Sequence, residues 1–254
     1  MRKWLTRGFE WLGALGFFCL RLVKSALAGP YEWRELIRQC DSVGALSLPL
    51  VALARAATGI VLSLETRDSL VRFGAKSFLP AIIVFSMFKE SGPVITGLVV
   101  SGRVGAAVGA ELGSMRITEQ IDAMEASAVD PYKYLVATRV MACALMLPLL
   151  TVVANFCGIV MGWVADNLAQ PISLQLFLKA GFQNVEFSDY LPPVLKTCVF
   201  GTIIGVIACF QGMNATGGTA GVGRSATSSV VPPGTPGTSP PMAINCHFEN
   251  ENLS

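Results

Sequence analysis

Residues 78–110 read FLPAIIVFSMFKESGPVITGLVVSGRVGAAVGA, and this long apolar segment is typical of a membrane protein. At 1.5 Å per residue, a helix of this length would reach about 50 Å, whereas the hydrocarbon core of a bilayer is about 30 Å thick. The segment must therefore tilt, project into the cytoplasm or break. We expect the break or kink at Gly92-Pro93, because proline removes a helical hydrogen bond and crowds the preceding turn.

Three further apolar segments accompany this one. Residues 43–64, 139–164 and 194–210 are each long enough to cross a bilayer. The chain of 254 residues is 52% apolar and only 14% charged, whereas a typical soluble domain is about 25% charged. Its net charge is +2 and no basic run interleaves with aromatic residues, so nucleic-acid binding is not indicated. The sequence predicts an all-α, polytopic membrane protein.

The N-terminal region, residues 1–40, precedes the first span. Charged side chains recur there at three- and four-residue spacing, with apolar side chains on the other side: Lys3, Arg7, Glu10, Arg21 and Lys24. This pattern predicts an amphipathic helix that lies in the membrane interface. A second short helix is expected over residues 31–40, after the Gly29-Pro30 break.

Lysine and arginine bias predicts the orientation. Seven of these residues fall within the first forty, which places the N-terminus in the cytoplasm. Residues 111–133 are then cytoplasmic, and residues 166–190, helical around 174–180, are periplasmic. The predicted loop 65–77 disagrees, because it should lie outside and yet contains Arg67, Arg72 and Lys76.

The first two predicted spans contain four charged residues, and charge is costly there: Arg55, Lys89, Glu90 and Arg103. Glu90 and Arg103 are roughly 20 Å apart along a straight helix, so they cannot pair within it. Glu90 is expected to pair with Arg55 or to line a polar cavity. The alternative is an interfacial Glu90 neutralised by Lys89.

Small residues recur every four positions in the second span: Gly97, Ser101, Gly105 and Gly109. Gly158 and Gly162 repeat the spacing in the third span, and Gly201 and Gly205 repeat it in the fourth. Such stripes allow close helix approach. They indicate ordinary bundle packing, or a dimer contact that moves.

Residues 111–125 form a polar segment between the second and third spans. Ile117, Ile121 and Met124 make an apolar stripe, and the remainder is rich in acidic residues. A short amphipathic helix of this kind suits docking into a groove on a partner. The alternative is a solvated connector.

Other chemistry is poorly supported. The seven cysteines form no Cys-x-x-Cys pair and are expected to be small buried hydrophobes, so no metal site is predicted. Residues 218–225, GTAGVGRS, nearly spell a phosphate-binding loop, but Arg224 stands where lysine is required. We therefore expect no cofactor and no ATP hydrolysis by this chain.

The motifs of the second span and the segment after it resemble the MlaE family of permeases, which serve transporters with MCE-domain partners. The resemblance rests on residues 89–94 (KESGPV), 101–107 (SGRVGAA), 110–115 (AELGSM), 118–124 (TEQIDAM) and 129–131 (VDP). It extends from the N-terminal helix to about residue 231. It implies a homodimer in the bacterial inner membrane that moves phospholipids.

The same resemblance implies roles for particular residues. A cytoplasmic ABC ATPase would dock on the coupling helix, with Glu111, Gly113, Met115, Glu119, Gln120 and Asp122 as the coupling residues. A lipid pocket at the dimer centre, near Glu90, would open towards a periplasmic MCE-domain ring. Arg55, Lys89 and Arg103 are the other candidates for this pocket or for an intramembrane polar site, although an uncharged residue is expected at position 55.

The C-terminal segment departs from the family. The permease domain of this chain is expected to cover residues 41–231. Members of the family continue after the corresponding segment with a fifth span. Here residues 232–254 follow instead; they are rich in proline and are expected to form a disordered tail. This leaves two alternatives to the permease: a channel or secondary transporter that uses Glu90 and Arg55, or a truncated permease that does not transport.

Overall fold

The computed structural model of the chain describes residues 2–27, 33–169, 171–183 and 191–215. This described part is helical and contains no strand, which confirms the predicted fold class. The helices, in chain order, are α1 (Arg2–Leu27), α2 (Trp33–Arg72), α3 (Leu79–Ser86), α4 (Gly92–Val100), α5 (Ala106–Ile117), α6 (Gln120–Ala126), α7 (Thr138–Ala169), α8 (Leu174–Phe182) and α9 (Leu191–Met213).

Four helical stretches of the described residues are long and apolar enough to cross a membrane. They are Trp33–Arg72, Gly92–Ile117, Tyr132–Leu168 and Leu191–Met213. Their outward surfaces carry large apolar side chains, among them Leu53, Leu98, Phe156 and Leu195. A soluble protein rarely exposes apolar surface on this scale, so the exposed belt is the part that faces lipid.

The first span is longer than predicted. The expected short helix over residues 31–40, the expected span 43–64 and most of the expected loop 65–77 form one continuous helix, α2. Residues 33–72 contain no proline except Pro49, which the helix accommodates. The helix ends only before Gly74, whose φ of +70° is one that glycine adopts without strain.

The second span is also more continuous than predicted. We expected a break or kink at Gly92-Pro93. Both residues lie in the first turn of α4, so the helical path is not broken there, and the regular pattern is instead disturbed by the π-helical turn just before them, Met87–Ser91. A wider turn just before proline accommodates the ring and the missing N–H without ending the helix. A second π-helical turn, Ser101–Gly105, joins α4 to α5.

The other predicted helices are present. The third and fourth spans correspond to α7, which contains Pro148, and to α9, and the helix expected around residues 174–180 is α8. A third π-helical turn, Tyr132–Ala137, leads into α7. In the core, α7 packs chiefly against α2 and α9.

The N-terminal helix packs onto the bundle. Phe18 and Leu22 are buried, and the Phe18 ring lies 5.6 Å from the ring of Tyr132 and 5.5 Å from that of Phe210. The Arg21 guanidinium lies 4.1 Å from the centre of the Tyr132 ring. Part of the apolar side that was expected to lie against lipid is therefore used for protein contacts. The side chains of residues 2–12 lie outside the described part of the structure.

Candidate functional site

The segment between the second and third spans forms a corner rather than one helix. The predicted amphipathic helix over residues 111–124 is wrong in this respect, because α5 ends at Ile117 and α6 begins at Gln120. Glu119, between them, has a left-handed backbone with φ of +57°. We call Ala106–Ala126 the α5–α6 corner.

The corner has a buried side and an exposed side. Leu112, Gly113 and Ile121 are buried, and the half-buried Met115 and Met124 pack against the same core cluster. Four of the polar side chains point outward: Arg116, Glu119, Gln120 and Asp122. Arg116 forms an ion pair with Asp122 across the bend. Of the predicted coupling residues, Glu119, Gln120 and Asp122 therefore form an exposed polar surface, whereas Gly113 and Met115 support it from beneath.

Glu111, the remaining predicted coupling residue, has a different environment. Its carboxylate accepts a bond of 2.9 Å from Nη2 of Arg139, at the start of α7. The Arg139 side chain is only 3% exposed, whereas that of Glu111 is 53% exposed. Sequence reasoning missed Arg139, although a single arginine in the first turn of a strongly apolar helix was a signal for it.

Arg55 lies at the centre of an intramembrane polar cluster. Its side chain is completely buried, and Nη2 donates to the carbonyl oxygen of Met87 at 3.1 Å and to Oδ1 of Asn155 at 2.8 Å. Nε and Nη1 have no hydrogen-bond partner among the described residues. The cluster joins α2, the first π-helical turn and α7.

Glycine residues close this cluster from the sides. A β-carbon on Gly92 would lie 2.6 Å from the carbonyl oxygen of Met87 and 2.7 Å from Oδ1 of Asn155. A β-carbon on Gly59 would overlap the carbonyl oxygen of Gly158, so α2 and α7 are in backbone contact one turn from Arg55. The cluster is therefore enclosed by protein rather than facing lipid.

The other predicted intramembrane charges are placed separately. Arg103, in the second π-helical turn, donates from Nη1 to Oγ of the buried Ser47 at 2.6 Å. Nζ of Lys89 lies 4.6 Å from the centre of the Phe85 ring. The side chain of Glu90 lies outside the described part of the structure, so its pairing with Arg55 stays a prediction.

Two residues of the small-residue stripe in the second span, Gly97 and Gly109, face α9 of the same chain. A β-carbon on Gly97 would be 3.5 Å from the Phe200 ring, and one on Gly212 would be 3.2 Å from the carbonyl oxygen of Gly109. Gly105 is buried, and Ser101 donates to the carbonyl oxygen of Leu98 at 2.8 Å. The contacts of Gly97 and Gly109 are helix packing within the chain, and a dimer contact by the stripe stays a prediction.

The glycine pairs of the third and fourth spans also pack within the chain. Gly158 and Gly162 lie against Gly59 of α2 and its neighbours, and Gly201 and Gly205 lie against the first turns of α7. Both pairs hold together the three helices that form the core.

At the opposite end of the bundle from the α5–α6 corner, Arg67 meets Asp166. Nη1 of Arg67 lies 3.3 Å from the carboxylate and from the backbone carbonyl of this residue. One of the three basic residues in 65–77 is therefore paired in the folded chain. The conflict with the positive-inside pattern remains, because that pattern counts lysine and arginine and not net charge.

No group of three or more histidine, cysteine, aspartate or glutamate side chains that could hold a metal ion occurs in the described ranges. The cysteines of the described ranges are free thiols. Cys143 and Cys209 are buried as expected, whereas four others are partly exposed, contrary to the prediction: Cys19, Cys40, Cys157 and Cys198.

Comparison with known proteins identifies the family. The family described as "Permease MlaE" matches residues 36–232. A probable ABC transporter permease protein of Rickettsia prowazekii is 36% identical over 220 residues, which cover 87% of this chain and 85% of the relative. One from Synechocystis is 35% identical over 230 residues, covering 91% and 88%.

A plant relative extends the range of similarity. The chloroplastic protein TRIGALACTOSYLDIACYLGLYCEROL 1 of Arabidopsis thaliana is 32% identical over 230 residues, which cover 90% of this chain and 66% of that protein. The family match takes in α2 to α9 and hence both the Arg55 cluster and the α5–α6 corner. With four membrane-crossing helices and this match over most of its length, the chain belongs to the MlaE permease family.

Proposed function

We propose that this multi-pass membrane protein is the permease subunit of an ABC transporter that moves phospholipids between the bacterial inner membrane and a periplasmic MCE-domain partner. Membership of an ABC permease family implies that a separate ATPase supplies the energy. In the proposed complex the permease is a homodimer, the ATPase binds on the cytoplasmic side, and the lipid pocket lies near Glu90.

The exposed side of the α5–α6 corner is the observation that carries this proposal. It presents Glu119, Gln120 and Asp122 to solvent, while buried Leu112 and Ile121 fix the two helices to the bundle. A surface that is polar outside and anchored inside can bind a soluble domain and pass its movement to the membrane helices. The lysine and arginine bias of the N-terminal region places this end in the cytoplasm.

The intramembrane polar residues support the proposed substrate less directly. Phospholipid headgroups are charged, and a pocket that accepts them needs polar groups within the bilayer. Lys89 and Arg103 lie on the π-helical turns on either side of α4, and Glu90 belongs to the first of these turns. We assign this helix to the wall of the lipid pocket.

The first test is purification in detergent of the chain, expressed together with its neighbouring genes. Mass spectrometry of the purified sample should find a stoichiometric ATPase with a nucleotide-binding motif and bound phospholipid. Transport that depends on an ion gradient, with no ATPase in the complex, would instead favour a channel or secondary transporter.

A second test addresses the coupling surface. The triple variant E119A/Q120A/D122A should weaken ATPase association by about tenfold or more, because a few residues near the centre of an interface carry most of its binding energy. The matched control is E65A/D68A/S69A. It removes two acidic side chains and one polar side chain from the exposed surface near the C-terminal end of α2, away from the α5–α6 corner. Equal retention of the ATPase by both variants would contradict the assignment of the corner.

A further inference from the structure

The Glu111–Arg139 ion pair joins two helices that otherwise make little contact. Helix α5 packs chiefly against α9, and α7 packs against α2 and α9. The bond of 2.9 Å from Nη2 of Arg139 to Glu111 therefore provides a direct polar link from α5 to α7.

Arg139 holds both sides of the corner at once. Nη2 of Arg139 binds Glu111, in the α5 half of the corner. Nη1 of the same side chain donates at 3.0 Å to the carbonyl oxygen of Leu135, in the segment that follows the corner. Leu135 belongs to the third π-helical turn, where the backbone departs from the regular hydrogen-bond pattern. One buried side chain thus ties the entry and the exit of the corner to the first turn of α7.

The burial of the pair is unequal, and this makes it sensitive to displacement. The Arg139 side chain is 3% exposed and its Nε has no hydrogen-bond partner among the described residues, whereas the Glu111 side chain is 53% exposed. Movement of Glu111 away from Arg139 would leave a buried charge without its counter-ion, which is strongly unfavourable. Helix α7 must then follow α5, or the pair must break.

Resting on the proposed function, we propose that Arg139 is a positioning residue that transmits movement of the α5–α6 corner to α7 during the ATPase cycle. Glu111 accordingly acts inside the permease and does not touch the ATPase. The exposed surface of the corner binds the partner, and the Glu111–Arg139 pair carries its movement to the membrane helices.

The test separates this role from a structural one with two variants. E111A leaves Arg139 buried and unpaired, so folded yield should fall. The double variant E111A/R139M removes both charges, and removal of both partners of a buried pair is often tolerated. It should therefore recover folded yield and ATPase association, whereas a merely structural role predicts that it also recovers coupling.

Coupling is measured as the stimulation of ATP hydrolysis when phosphatidylglycerol is added to the detergent-purified complex of the permease and its co-purified ATPase. In E111A/R139M the stimulation should be about tenfold smaller than in wild type, which is a usual size for coupling between sites. The conservative R139K variant, which keeps the charge but not the forked geometry, should retain part of it. The control R67M/D166A removes the pair at the other end of the bundle and should keep full stimulation.

Each result decides one point. Wild-type stimulation in E111A/R139M would overturn the positioning role and leave the proposed function intact. An assembled wild-type complex that phosphatidylglycerol does not stimulate would overturn the phospholipid proposal itself. Loss of stimulation in E111A/R139M but not in R67M/D166A, with the ATPase still bound to both, would establish the inference.

Discussion

At the residue scale, Arg55 is the most deeply buried charged residue in the described part of the chain. It is fully buried, and Asn155 supplies a side-chain acceptor for it. Its position in an apolar helix made Arg55 conspicuous in the sequence. Asn155 was not, because a single amide in α7 gives no indication of which neighbouring helix it faces. The pairing of these two residues depends on the register of α2 against α7, which periodicity does not determine.

Replacement of Asn155 tests how much this bond contributes. N155L should lower the free energy of unfolding by about 3 kcal/mol, since it leaves a buried charge with fewer acceptors. The double variant R55M/N155L should recover most of the loss, because it removes the charge and keeps the volume. Equilibrium unfolding of the detergent-purified protein in SDS measures both. An N155L variant as stable as wild type would show that the Arg55–Asn155 bond contributes nothing.

At the scale of elements, the α5–α6 corner shows why a correct pattern gave an incorrect helix. Ile117, Ile121 and Met124 do have helical spacing, and Ile121 is buried as the pattern requires. The helix nevertheless ends at Ile117, and Thr118 bonds through Oγ1 to the carbonyl oxygen of Ser114. Glutamate is not a residue from which a left-handed backbone is expected, so local sequence gave no sign of the bend at Glu119.

The end of the corner gives a second, independent prediction. Ala128 also has a left-handed backbone, with φ of +59°, which costs a residue with a β-carbon roughly 1 kcal/mol. A128G should therefore slow amide hydrogen exchange of residues 118–130. A123G, in the middle of α6, should speed it, because glycine lowers the stability of a helix interior by about 1 kcal/mol. The same sign for both variants would contradict the backbone assignment.

At the scale of the whole molecule, glycine contacts set the distance between the spans. The sequence predicted the four spans and their stripes of small residues, since both follow from composition and spacing. It did not predict that Gly59 would meet Gly158, because Gly59 belongs to no stripe. The fold class was therefore accessible from the sequence, whereas the pairs that form the intramembrane cluster required the packing of α2 on α7.

Substitution of Gly59 tests this contact. G59A should destabilise the protein by about 3 kcal/mol or more, because the added methyl group meets backbone that cannot move aside. G102A is the matched control, since a β-carbon there has no atom within 4 Å. Thermal aggregation in detergent, followed by size-exclusion chromatography, compares them. Equal melting of G59A and wild type would mean that α2 and α7 are farther apart than described.

The Arg67–Asp166 pair has a consequence for biogenesis. The two residues are 99 positions apart in the chain, so the counter-ion of Arg67 has not been synthesised when α2 enters the membrane. Until α7 is synthesised, the positive charge of Arg67 at the C-terminal end of α2 has no counter-ion from Asp166, and the orientation of the first hairpin depends on the lysine and arginine bias of the N-terminal region. The ion pair can therefore form only after α7 has inserted, and it stabilises an arrangement of α2 and α7 that it did not itself direct.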